Sequence, residues 1–405
     1  MAEQTRPKTR LRDVVMLLSA ALMPVPWMVC NQVESHGLGT EWIAVMAGFA
    51  IVGAAFLLSW AAELAERDIP QAMAILMLAL VSVLPEYAVD LHFAWTAGKD
   101  PSYAPYAVAN MTGANRLLIG FGWAAVVLIS CSKTKSTKLL IHPQQKLEIR
   151  FLVWATLFSF LIPLTGTINL FDAAVLLLLF LLYAVSAMRS ESEEIQLVGP
   201  AAMIDRETSN RGRRLWSLGL FVFAAYGIFI AAEPFAESLV KIGLDWEIEE
   251  FLLIQWVAPL ASESPEFIIA ILFALRLRGS IGIGALISSK VNQWTLLVGA
   301  IPIAFALSSG TTNGLPLDER QTEEMLLTSA QSLFAAILIA DLRFSRKEAI
   351  LLLTLFLGQF LFTSTEVRYL FIGLYFLLSV GLLFQRERRR DFFEIVFSSP
   401  FPKRD

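Results

Sequence analysis

Ser82-Val83-Leu84-Pro85-Glu86 (SVLPE) and Ser262-Glu263-Ser264-Pro265-Glu266 (SESPE) are two versions of one phrase, 180 residues apart. Each lies inside a long apolar run, and each is followed at nearly equal distance by a second echo. Leu117-Leu118-Ile119-Gly120 begins 31 residues after Glu86, and Leu296-Leu297-Val298-Gly299 begins 30 after Glu266. A carboxylate in the middle of a hydrophobic span is expensive and marks an ion or proton path. Proline lacks an N–H, so Pro85 frees the carbonyl of Val81 and Pro265 that of Ala261. A carbonyl freed at mid-membrane needs a partner, and a cation is a good one. Internal repeats broken at corresponding positions point to the binding site of a transporter.

The composition places these phrases in a bilayer. The 405 residues are 56% hydrophobic and 17% charged, with mean hydropathy +0.62, whereas a soluble domain is about 25% charged. The expected class is an all-α polytopic membrane protein. The three histidines, His36, His92 and His142, are far apart in sequence, which argues against a histidine metal centre or triad. No nucleophile and base pair is visible, so an enzyme is not expected, nor are a resident cofactor or a nucleic-acid partner. Cys30 and Cys131 end different apolar segments, on opposite membrane faces in the topology below, so no disulfide is expected between them.

A span needs about 20 apolar residues. Twelve segments fit: 13–33, 42–64, 71–96, 104–130, 149–166, 168–188, 215–241, 248–274, 280–307, 324–341, 348–366 and 368–384. The close pairs 149–188 and 348–384 are each too long for one span, and Thr165-Gly166-Thr167 and Ser364-Thr365 supply breaks. With the N-terminus inside, inner segments hold 26 of the 32 lysines and arginines. The outer loops hold four (Lys99, Lys241, Arg320, Arg368), and Arg116 and Lys290 lie within spans. Outer loops are instead acidic, as in Asp245 to Glu250 and Asp318 to Glu324. Both termini are therefore expected in the cytoplasm, and the compact loops favour a bacterial inner membrane over an organelle. No small-x-small cleavage site follows the first segment, so it reads as a retained helix.

In this topology span three, with SVLPE, runs outward, and span eight, with SESPE, runs inward. The repeats are inverted. The chain divides into an N-terminal half, 1–190, with a first repeat at 71–130, and a C-terminal half, 215–405, with a second repeat at 248–307. The polar, basic stretch 191–214 between them reads as a cytoplasmic linker.

Hard cations such as Ca²⁺ take six to eight oxygens from carboxylates, carbonyls and amides. Glu86 and Glu266 supply negative ligands, and Ser82, Ser262 and Ser264 add hydroxyls. Aligning the repeats sets Asn110 opposite Ser289, Met111 opposite Lys290 and Gly113 opposite Asn292. Arg116 is expected to neutralise Asp90, one turn beyond Glu86, and Lys290 to pair with Glu263. Glu233 and Glu237, and by loose inversion Glu63 and Glu66, are candidates to line two access paths. The basic tail from Arg386 to Arg390 is expected to fix orientation and meet anionic lipid.

Two repeats, each with a (G/S)xxPE-like and then a GNxxGSN-like element, resemble the alpha-repeats of the sodium/calcium exchanger family of cation antiporters. Ala109 to Asn115 (ANMTGAN) is similar to the second element. The chain departs from the pattern at Ser288 to Trp294 (SSKVNQW), where Ser289 stands for an expected Asn or Asp and Lys290 follows. The resemblance covers spans two to eleven. It implies two inverted five-helix repeats, with one extra helix at each end here. It makes Glu86 and Glu266 central ligands, Asn110 and Ser289 flanking ones, and Ser82, Ser262 and Glu263 neighbours of the site, with Lys290, Asp90 and Arg116 compensating charge.

The expected function is secondary-active exchange of Ca²⁺ for Na⁺ by alternating access at a midplane site, the ions binding transiently. Ca²⁺/H⁺ exchange is the alternative, with protons on the carboxylates and Lys290 in a cation's place. Glu86, Asp90, Glu263 and Glu266 give −4, and Arg116 and Lys290 give +2, so an empty site carries −2 and is costly to move. A passive channel fits less well, since pores use rings of repeated subunit residues. A non-transporting scaffold would not need both proline–carboxylate pairs. The sequence leaves the oligomeric state open.

Overall fold

The computed structural model describes residues 6–32, 39–65, 67–68, 84–189, 197–362 and 364–399. They are mostly helical, with two short strand pairs and connecting turns. Among the described residues, eight helical runs are long and apolar enough to cross a membrane. A ninth follows if the two segments of Glu250–Leu275 count as one. This falls below the twelve expected, for local reasons. Half of span three, 71–83, lies outside the described residues. Glu319–Leu338 opens with Glu319, Arg320, Glu323 and Glu324, and Arg346–Leu361 has only 16 residues, about 24 Å of helix. The two close pairs are divided as expected. Gly166 turns with φ +67 before Thr167, and Ser364 caps a new helix at Thr365.

The chain forms two compact units, which cut across the sequence halves. The first comprises Met1–His92 and Glu191–Pro265; the second comprises Phe93–Ser190 and Glu266–Asp405.

In the first unit, α1 (Arg6–Leu22), α2 (Val25–Gln32), α3 (Thr40–Ala65) and α4 (Leu84–Ala97, to His92) come from the N-terminal half. α9 (Gly199–Glu207), α10 (Asn210–Asp245) and the start of α11 (Glu250–Leu275) come from the other half. Leu57, Trp60, Ala201, Ile204, Leu220, Ala224 and Ile228 share one buried core. Small residues set the approach: a Cβ on Gly53 would lie 2.5 Å from the Ala20 carbonyl, the close backbone contact typical of membrane helices. Trp27 Nε1 donates to the Ile230 carbonyl at 2.8 Å, and Ser217 Oγ to that of Ala61 at 2.7 Å. The expected linker is thus built into this unit: α9 buries Ala201 and Ile204, and α10 begins at Asn210. Asp68 accepts from Arg213 at 2.9 and 3.0 Å and from Arg214 at 2.9 Å. These contacts, Arg213 foremost, hold its carboxyl below the ordinary range.

The second unit contains α5 (Ala104–Leu117), α6 (Ala124–Thr134), α7 (Lys146–Ser159), α8 (Leu170–Ala187), α12 (Gly279–Asn292), α13 (Val298–Ser309), α14 (Glu319–Leu338), α15 (Arg346–Leu361), α16 (Thr365–Leu383) and α17 (Arg386–Phe397). Lys138–Leu140 pairs antiparallel with Arg343–Ser345, and Thr167–Ile168 with Leu315–Pro316. Each pairing joins loops that the charge distribution assigns to a common face. Between α5 and α6, and between α12 and α13, the helix widens into π turns at Leu118–Trp123 and Gln293–Leu297. Each echo, LLIG and LLVG, therefore overlaps a π turn, an irregularity of the kind that clusters at functional sites.

Candidate ion-binding site

Leu84 and Pro85 open α4, and the helix carries Glu86 in its first turn. Glu86 is 1% exposed and Asp90, one turn on, is 0% exposed. α11 brings Glu263, also 0% exposed, to Glu86, so that carboxylate oxygens of the two lie within 4.8 Å. Two buried carboxylates this close repel each other, and a shared cation or proton relieves the repulsion. Ser262 is buried but donates its hydroxyl to its own helix, to the carbonyls of Ala258 at 3.3 Å and Pro259 at 3.5 Å. Ser82 lies outside the described residues, and the side chains of Ser264 and Pro265 are likewise not described.

Glu266 follows Glu263 by three residues on α11 and belongs to the second unit. There Ser289 Oγ donates to Glu266 Oε2 at 2.5 Å, and Gln293 Nε2 donates to Ser289 at 3.5 Å. Asn110 is 1% exposed on α5. The expected ligands Glu266 and Ser289 thus meet directly, as do Glu86 and Glu263.

Within the second unit, each of the two membrane cations has a partner that the sequence did not point to. Lys290 Nζ donates to Asn115 Oδ1 at 2.5 Å and lies 4.2 Å over the Trp294 ring. Asn115 is oriented for this by its own helix, since its Nδ2 donates to the Met111 carbonyl at 2.8 Å. An amide oxygen and an indole face therefore receive the ammonium. Arg116 is ion-paired with Glu324 of α14. Gln331 of the same helix donates to the Arg116 carbonyl at 3.1 Å. Glu323 and Glu324 are not loop residues: both are buried in α14, and Glu323 accepts from Arg368 at 2.6 Å. Sequence reasoning missed Glu324 because its run with Asp318 looked like an acidic loop. Trp294, four residues after Lys290, was legible as a helical neighbour.

The four carboxylates suggested for access paths are divided. Glu237 pairs with His92 Nε2 at 3.1 Å, Glu63 accepts from the Val198 N–H at 3.4 Å, and Glu233 is exposed. Glu66 lies outside the described residues.

Among known proteins, a crystal structure of the H⁺/Ca²⁺ exchanger CAX is 44% identical, with a TM-score of 0.90. It covers 95% of this chain and 97% of that one. The sodium–calcium exchanger NCX_Mj shares the fold at 17% identity and a TM-score of 0.55, over 80% of this chain and 99% of that one. Native YfkE does so at 12% identity and 0.60, over 90% and 99%. No curated protein matches. Residues 40–189 and 216–365 each match the family described as sodium/calcium exchanger protein, one match for each half in which a proline–carboxylate phrase occurs. With both halves matched and a 44% identical exchanger spanning nearly the whole length, the chain belongs to the sodium/calcium exchanger protein family.

Proposed function

We propose that the protein is a secondary-active antiporter that exchanges Ca²⁺ for H⁺ by alternating access. The observation that carries this reading is the Glu86–Glu263 pair, buried and within 4.8 Å. Such a pair binds either a divalent cation or a proton, and competition between the two couples their fluxes. Glu86 and Glu266 act as central ligands, with Asn110 and Ser289 flanking and Ser82, Ser262 and Glu263 contributing nearby. Twelve spans in two inverted five-helix repeats, with both termini in the cytoplasm of a bacterial cell, complete the reading.

Charge balance calls for a monovalent cation beside Ca²⁺. Glu324 engages Arg116, so Lys290 is left as the balancing cation. The sum becomes −4 for Glu86, Asp90, Glu263 and Glu266, and +1 for Lys290, or −3. Ca²⁺ brings this to −1, and one monovalent cation, which we assign as a proton, completes neutrality. The 44% identity to an H⁺/Ca²⁺ exchanger supports the same coupling. Exchange for Na⁺, favoured by the sequence alone, is the second reading and is supported by the family's description. The test is uptake of radioactive calcium into proteoliposomes against an imposed pH gradient, then against a Na⁺ gradient. Uptake driven by pH alone is expected. Uptake driven only by Na⁺ would reverse the assignment, and uptake driven by neither would refute exchange.

A further inference from the structure

A second set of polar groups in the second unit leads to Ser289 and plays no part in the site above. Gly284, Ser288 and Asn292 recur every four residues on α12 and so form one row along a face. A Cβ on Gly284 would lie 2.9 Å from the Gln145 amide, which occupies the space the missing side chain leaves. One turn on, Ser288 lies beside Glu148 of α7 and Tyr183, and Tyr183 Oη donates to Glu148 Oε1 at 3.5 Å. The next residue, Ser289, is the one that donates to Glu266.

Three oxygens along this row are buried without a hydrogen-bond partner: Gln145 Oε1, Glu148 Oε2 and Asn292 Oδ1. Asn292 is 4% exposed, so its oxygen is out of reach of bulk water. All three are acceptors. A buried acceptor left unsatisfied costs about 1–3 kcal/mol, and three unsatisfied acceptors along one row call for a visitor that is a cation or brings protons. Glu148 is also only partly buried, while Lys146 at the start of α7 is 42% exposed in its side chain. The row therefore runs from the rim of the unit inward.

We propose that Glu148, with Ser288, Tyr183 and the Gln145 amide oxygen, is a way-station where a hydrated divalent cation binds before passing along Asn292 and Ser289 to Glu266. The proposal rests on the exchange reading above and adds a second carboxylate to it. A purely structural Glu148 would stabilise the first turn of α7 through the helix dipole, and a glutamine there keeps the helix while removing the charge.

Two experiments test it. In proteoliposomes, Glu148→Gln should raise the KM for Ca²⁺ supplied from the face bearing Lys146 about tenfold, with maximal rate little changed. Glu148→Asp should restore it. An unchanged KM in a folded Glu148→Gln protein overturns the proposal. Independently of transport, Ser288→Cys in a background lacking Cys30 and Cys131 should react faster with a cationic methanethiosulfonate than with an anionic one, and Ca²⁺ should protect it. Equal rates, or no reaction, overturn the way-station even if exchange is intact. If wild type moves no Ca²⁺ while the Ser288→Cys variant still shows cation-selective, Ca²⁺-protected labelling, the exchange reading fails and the way-station stands as a binding site.

Discussion

Lys290 departs most from the family pattern, and its environment explains how the chain tolerates it. A lone ammonium at the bilayer centre costs about 2.5–3.5 kcal/mol. Asn115 Oδ1 and the Trp294 face offset this, the cation–π contact contributing about 2 kcal/mol when desolvated. Lys290→Met should therefore fold, and it should raise the number of H⁺ or Na⁺ exchanged per Ca²⁺, read as a shifted reversal potential in liposomes. An unchanged reversal potential with flux intact leaves Lys290 structural. Glu86→Gln and Glu266→Gln should each abolish exchange in a folded protein, since each removes a charge at constant volume. Normal flux in either folded variant removes that residue from the site. The glutamates were legible because proline beside a carboxylate recurs. The partners of Arg116 and Lys290 were not, because a contact between α5 and α14, or between α5 and α12, leaves no spacing in sequence. Outside the spans, Asp68 gives a pH test. Its carboxyl titrates below its ordinary 3.8 because Arg213 stabilises the charged form. That stability is present above about pH 3.8 and is lost as pH falls through the folded-state value. Asp68→Asn should lower the melting temperature at pH 7, and the gap to wild type should close at strongly acid pH. A gap that persists there assigns the effect to packing.

At the scale of elements, the π turn at Leu118–Trp123 brings Gly120 against α15. A Cβ there would meet the Phe356 ring within 2.5 Å, and Phe356 is 3% exposed and has no room to retreat. Gly120→Ala should cost about 1–3 kcal/mol by overpacking, seen as a lower melting temperature in detergent; an unchanged one would show that the π turn yields. The clamp of α16 on α14 offers a contrast. Arg368 and Glu323 are both buried, and removing one partner of such a pair costs about 3–5 kcal/mol. Arg368→Leu should destabilise more than the double variant Arg368→Leu, Glu323→Leu; equal losses would assign the cost to packing. Apolar runs and their breaks gave most helix positions, as at Thr165-Gly166-Thr167. They did not give the two π turns, whose extra residue changes hydrogen bonding without changing composition. Nor did they give the start of α14, where charged residues that read as loop are paired and buried.

At the scale of the molecule, each compact unit draws on both halves of the sequence. Severing the chain between Ser190 and Glu191 and expressing both pieces together should restore exchange, whereas either piece alone should give none. Transport by the first piece alone would show that the second half is dispensable. The division into halves was legible from the repeated phrases; the interleaving was not, because it is written in contacts between distant helices such as α3 with α10. It also sets a clock on biosynthesis. Glu86 emerges from the ribosome long before Glu263, the carboxylate it will face. At about 5–20 residues per second the 177 residues between them take roughly 9–35 s. Through that interval the nascent first unit holds a membrane carboxylate without its final surroundings. The insertion machinery, lipid headgroups or a bound proton must shelter Glu86 until synthesis has passed residue 265.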